Sequence, residues 1–149
     1  MEIYERNINA SVRRDEDDFI VTKASLLDLN HNMRVEIKVR ISDRTIVDAG
    51  AQMVKTPFMI CGQTARFANN MVGLKIERGV TKKLSDLFGH SEGCTHLYEL
   101  SVEAVRLSSN VLLGFETGDQ EWRDRRLSDT EFIVKAKEFL KNSCLPFKE

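Results

Sequence analysis

Residues 33 to 41, MRVEIKVRI, alternate without a break, with Met33, Val35, Ile37, Val39 and Ile41 on one side and Arg34, Glu36, Lys38 and Arg40 on the other. Side chains of a strand point to opposite faces with a period of two, so this segment is a β-strand with one buried and one wet face. Such a strand needs paired neighbours and a covering layer. After the polar turn Ser42-Asp43-Arg44, the alternation of Val47, Ala49, Ala51 and Met53 predicts a hairpin partner over 45 to 53. Pairing Ile41 with Thr45 across the turn sets Met33 opposite Met53 and His31 opposite Lys55. Upstream, Ile3 to Val12 and Phe19 to Leu29 form two more expected strands, joined by a charged turn from Arg13 to Asp18.

The period then changes. Ala65, Ala68, Met71 and Val72 recur at helical spacing within 62 to 76, which predicts a helix beginning near Cys61. Val80, Leu84 and Leu87 predict a short helix stopped at Gly89, and Leu97, Leu100, Ala104, Val105, Val111 and Leu112 a longer amphipathic one starting around Gly93-Cys94. Ser128-Asp129-Thr130-Glu131 has capping-box spacing ahead of Phe132, Ile133, Ala136, Phe139 and Leu140, so a last helix is expected over about 129–142. Residues 116 to 127 carry mixed charge without a stripe and are expected to be a solvated connection. Strands first and helices afterwards indicate an α+β fold, an antiparallel sheet of three to four strands with helices packed on one face. A single domain is expected over 1–149, with the sheet at about 2–55 and the main helices at about 61–115.

Composition narrows the functional classes. At 149 residues and 42% hydrophobic, the chain is long enough for one buried core. Lys and Arg total 22 against 23 for Asp and Glu, so the chain lacks the basic field that non-specific nucleic-acid binding requires, and no nucleic-acid partner is expected. No stretch approaches the ~18 apolar residues of a membrane span, and MEIYERNINAS has neither a basic nor an apolar leader region. A soluble cytoplasmic protein is expected. Cys61, Cys94 and Cys144 are an odd number in a chain that needs no disulfide staple, which favours reduced thiols.

His31, Cys61, Cys94 and His96 stand at the ends of the expected elements, and position is what singles them out. A helix of about 14 residues leaving Cys61 spans ~21 Å, and the helix over 80 to 88 returns much of that distance. That path allows Cys94 and His96 to reach the sheet end near His31. Two thiolates and two imidazoles suit a tetrahedral zinc site, or an iron-sulphur cluster with mixed ligands. Both cysteines are expected at helix N-termini, where the macrodipole favours thiolate. The same feature serves a thiol enzyme or sulphur acceptor, with His96 or His31 as base. Taken singly, Cys61 is a small core hydrophobe and His31 a turn residue beside Asn30 and Asn32, which is how a structural protein-interaction domain would use them. His90 and Cys144 are set aside as a turn residue and a packing or free thiol. Glu99 and Glu103 belong to a solvated helix face, and no G-x-S-x-G, P-loop or G-x-G-x-x-G is present.

The run from His31-Asn32-Met33 through Pro57-Phe58-Met59-Ile60-Cys61 to Gly93-Cys94-Thr95-His96-Leu97-Tyr98-Glu99-Leu100 resembles a bacterial domain family of unknown function, over about residues 4 to 115. More distantly, the order of features is similar to the iron-sulphur cluster assembly scaffolds. Asn32 to Val39 is similar to the scaffold strand after its aspartate ligand, which would put His31 at that position. Cys61 resembles the central scaffold cysteine, and Cys94 and His96 would occupy the final ligand turn. The resemblance implies a metal-binding domain that acts as scaffold or carrier for another protein. Two features depart from it: Leu29 stands about where the scaffolds have a first cysteine, and the last turn reads Cys-Thr-His.

Overall fold

The computed structural model describes residues 1–149. Four strands, β1 (Arg6–Arg14), β2 (Phe19–Asp28), β3 (Asn32–Arg40) and β4 (Ile46–Lys55), form one antiparallel sheet in the order β1-β2-β3-β4. A 3₁₀ segment, Met59–Met71, follows, then the helices α1 (Val80–Phe88), α2 (Thr95–Thr117), α3 (Asp119–Arg123) and α4 (Asp129–Leu140), and a closing 3₁₀ turn, Leu145–Phe147. The fold is α+β, as the switch of period predicts. No helix is long and apolar enough to cross a membrane. The chain divides into two compact units, Met1–Ser109 and Asn110–Glu149.

In the first unit the inner face of the sheet carries Ile20, Leu26, Met33, Val35, Ile37, Val39 and Ile46, all sealed from solvent with Met71, Leu84, Phe88, Leu97 and Leu100. Fully burying one such side chain contributes about 1.5–3 kcal/mol, and this layer is the core. Thr22 and Ser108 are also buried there, with their hydroxyls 2.6 Å apart. The ring of His96, at the start of α2, touches that of His31 beyond the end of β2. α2 thus runs back along β2, from the β2–β3 turn toward the strand's beginning.

The hairpin register holds in the middle and slips at both ends. Met33 faces Met53 as expected, but Val39 faces Ile46, and Asn32, not His31, faces Lys55. The turn closes through Arg40 N–H to the Thr45 carbonyl at 2.8 Å, one residue short of the Ile41–Thr45 pairing. An extra residue in β4 accounts for each slip, Val47 at the turn end and Val54 at the other: a bulge sets two residues against one, and at the turn end Ile46 takes the buried position.

The helix expected at Cys61 is a 3₁₀ segment of 13 residues. Ala65, Ala68 and Met71 recur every third residue, which suits three residues per turn. Gly62, Thr64, Asn69 and Asn70 are weak α-formers, and the Thr64 hydroxyl donates to the Cys61 carbonyl at 2.8 Å. At ~2.0 Å per residue this segment covers ~26 Å, more than the ~21 Å of an α-helix of similar length.

The second unit takes in the last turns of α2. The stretch expected to be a plain connection holds α3, whose Asp119 and Arg123 pair at 2.6 Å, one turn apart. Trp122 stacks on Phe132 with ring centroids 4.9 Å apart and donates its indole N–H to Asp129 at 2.8 Å. The capping box before α4 forms as its spacing predicts: Ser128 Oγ accepts from the Glu131 N–H while the Glu131 carboxylate accepts from the Ser128 N–H.

Candidate functional site

The four residues from Asp28 to His31 decide the geometry of the sheet end. The Asp28 N–H donates to the His31 carbonyl at 2.9 Å, closing a turn with Leu29 and Asn30 at its tip. Asp28 Oδ1 accepts from the Asn30 and His31 backbone N–H groups at 2.9 and 2.8 Å. An Asp side chain satisfying the backbone two and three residues on is the usual reason for Asp at such a corner. The same oxygen lies 2.9 Å from His31 Nδ1. A carboxylate only accepts, so Nδ1 carries a proton, and in the neutral ring the His31 Nε2 lone pair is then left without a hydrogen bond.

The other Asp28 oxygen takes Arg6 Nε at 3.0 Å. Burial alone would raise the Asp28 carboxyl, but the bonds from His31, the Asn30 N–H, the Tyr4 hydroxyl and the His31 N–H outweigh it. They hold the carboxyl far below the usual carboxylate range. Arg6 reaches further, to Glu99 Oε2 at 3.3 Å and to His96 Nε2 at 3.4 Å. A guanidinium only donates, so the His96 lone pair also sits on Nε2. The two imidazole centroids are 3.9 Å apart with planes tilted by 38°. Burial, then the neighbouring His31 and Arg6, push His96 below the ordinary histidine value, against the smaller pull of Glu99 and Asp28.

With both imidazoles neutral, the cluster of Arg6, Asp28 and Glu99 sums to a single negative charge. It is assembled from β1, the β2–β3 turn and the first turn of α2, all within the first unit. Gly93 makes that last approach: a Cβ there would collide with the Phe88 carbonyl, which instead accepts the Cys94 N–H at 3.0 Å. The chain can therefore turn sharply from α1 into α2 and deliver His96 to the sheet end.

Of the four residues singled out from the sequence, His31 and His96 meet. Cys94 is half-buried just before α2, with its carbonyl accepting the Tyr98 N–H at 3.0 Å, and Cys61 is half-buried in the first turn of the 3₁₀ segment. No hydrogen bond engages either sulfur. No group of three or more His, Cys, Asp or Glu is arranged to hold a metal ion. The present arrangement therefore supplies two imidazoles and no complete coordination set. His90 and Cys144 are exposed, and Lys82 and Lys83 pair with Asp86 and Glu77. Arg6, Asp28 and Glu99 are the partners that sequence reasoning missed. Asp28 and Glu99 had a signal in the Asp-x-x-His spacing of 28 to 31 and the His-x-x-Glu spacing of 96 to 99, which put each pair on one turn, whereas Arg6 had none.

No curated protein and no solved structure matches the chain. The likeness to iron-sulphur scaffolds rests on the order of sequence features alone. A family described as protein of unknown function (DUF2889) matches residues 4–108, a span that contains every member of this cluster and ends one residue before the first compact unit does. The chain belongs to the DUF2889 family.

Proposed function

We propose that this domain binds a single transition-metal ion at the His31–His96 pair, and that the ion is zinc. The observation that carries this reading is the Asp28–His31 bond, because a carboxylate on Nδ1 is how proteins orient an imidazole whose Nε2 serves a metal. The net negative charge of the cluster favours a cation, and His96 is kept neutral and able to ligate. In this reading the Arg6 guanidinium, 3.4 Å from His96 Nε2, stands where a metal would sit and moves off when one binds. A nitrogen-led set suits zinc better than an iron-sulphur cluster, which relies on thiolates. Cys94, two residues before His96, is the first candidate for a further ligand and Cys61 the second. A thiol enzyme has less support, since neither sulfur has an imidazole base. The three unpaired cysteines suit a reducing compartment, and we place the domain in the cytoplasm.

The test is metal content by elemental analysis after zinc is added to reduced, tag-free protein. Stoichiometric zinc, lost in His31→Ala and in His96→Ala but kept in Cys144→Ser, supports the reading. No bound zinc in the wild type overturns it. Cys94→Ser and Cys61→Ser then show which thiol joins. A second reading, a protein-interaction domain, draws on Phe58, Met59 and Ile60, which are 68%, 98% and 69% exposed in an unbroken run. Self-association abolished by Met59→Ser would favour it, and a wild-type chain that sediments as a monomer at every concentration would count against a second copy as the partner.

A further inference from the structure

The helices of the first unit cover one face of the sheet, and the other face is concave. It forms an open trough of about 620 Å³ across all four strands, a volume within the range of small-molecule sites. One row of the register crosses this trough: Asn9 beside Ser25, Ser25 beside Arg34, Arg34 beside Gln52. In the next row Lys23 and Glu36 face each other and pair at 2.9 Å, which cancels their charges. Arg34 has no such partner, for it makes neither an ion pair nor a hydrogen bond. The trough therefore has a surplus of one positive charge, on the side chain best shaped to grip two oxygens at once.

Gly50, opposite Glu36, is a second and independent sign. Its backbone is not left-handed, and a Cβ built on it would meet nothing within 4 Å. Neither conformation nor packing requires glycine there, although glycine weakens a strand interior. What its missing side chain does provide is floor space beside Arg34. The trough has no aromatic residue in its lining, so it offers no surface on which a nucleobase or sugar ring could stack.

We propose that this open sheet face is a binding site for a small aliphatic anion, a carboxylate or a phosphate monoester. Arg34 takes the anionic oxygens, Ser25, Asn9 and Gln52 offer hydrogen bonds to the ligand's polar groups, and Gly50 leaves room for its body. The site is separate from the histidine pair and stands or falls independently of the metal reading.

The experiment is an NMR titration of the full ¹⁵N-labelled chain with three probes, citrate, glycerol 3-phosphate and inorganic phosphate, with chloride as the ionic-strength control. The expected result is a saturable shift of the Arg34 Nε–H and the Ser25 and Gln52 amides by at least one probe. Citrate and glycerol 3-phosphate separate the carboxylate source from the phosphate source. Arg34→Gln should abolish the shift, and Arg34→Lys, which keeps the charge but loses the fork, should weaken binding about tenfold. Gly50→Val should leave the fold intact and block the two organic probes. The proposal is overturned if no probe gives a saturable shift, if chloride reproduces it, if it centres on Arg6 and His96, or if Arg34→Gln, a surface change that spares the core, leaves it unchanged. Shifts caused only by an acidic peptide would likewise overturn it, in favour of a protein partner.

Discussion

Thr22 on β2 and Ser108 on α2 share a 2.6 Å hydrogen bond inside the core, 86 residues apart in sequence. The Ser108 hydroxyl also lies 2.8 Å from the Ala104 carbonyl, so the two groups satisfy each other without water. Thr22→Val is expected to destabilise by about 1–2 kcal/mol, because a buried hydroxyl loses a partner. The double variant Thr22→Val with Ser108→Ala should lose less than the sum of the two single changes. Urea denaturation of the four proteins measures the coupling, and strict additivity would show that the bond contributes nothing specific.

Asp28 makes stability depend on acid in a defined direction. Its folded carboxyl titrates below the unfolded value near 3.8, so the folded state binds fewer protons. The stabilisation is therefore complete above that value and is lost as pH falls through it toward the folded pKa. Asp28→Asn should cost roughly 1–3 kcal/mol at neutral pH, since the amide keeps one acceptor oxygen but turns an NH2 toward the other donor and removes the charge that pairs with Arg6. The variant's stability should also fall less steeply than wild type below pH ~4, measured by thermal unfolding of metal-free protein.

Gly93→Ala drives a Cβ into the Phe88 carbonyl and forces the α1–α2 turn to shift. Overpacking of this kind costs roughly 1–3 kcal/mol. The more telling readout is the pair of imidazole resonances, which should lose the mutual ring-current shift that a 3.9 Å contact produces. Unchanged resonances would mean that the turn does not set the histidine contact.

In the second unit, Ser128→Ala removes one half of the capping box at α4. A loss of about 1 kcal/mol, with faster amide exchange confined to the first turn of α4, is expected. Global loss of protection would indicate that this helix start supports more than itself.

These features differed in how plainly they could be read from the residues. Strict alternation in 33 to 41 admits one buried face, so the central register followed from it. The bulge at Val47 did not, because one extra residue leaves both local alternations intact and changes only which of Ile46 and Val47 is buried. A helix at Cys61 was legible but its 3₁₀ type was not, because a repeat of three fits both helix types over a few turns. At the site, the path of the chain allowed His31 and His96 to converge, whereas Arg6 lay unmarked in a charged strand 93 residues from Glu99. Ion-pair partners that remote leave no local pattern.

The strand order β1-β2-β3-β4 bears on how the molecule comes together in time. Every strand pairing is with the next strand in sequence, so each closes a short loop and can zip on the microsecond scale of a hairpin. Seating α2 on β2 must wait for a loop of more than 80 residues to close, and topology of that kind sets the overall rate. The cluster of Arg6, Asp28, His31 and His96 needs both events. It is thus among the last parts of the molecule to exist, and a nascent chain that has formed its sheet still lacks it.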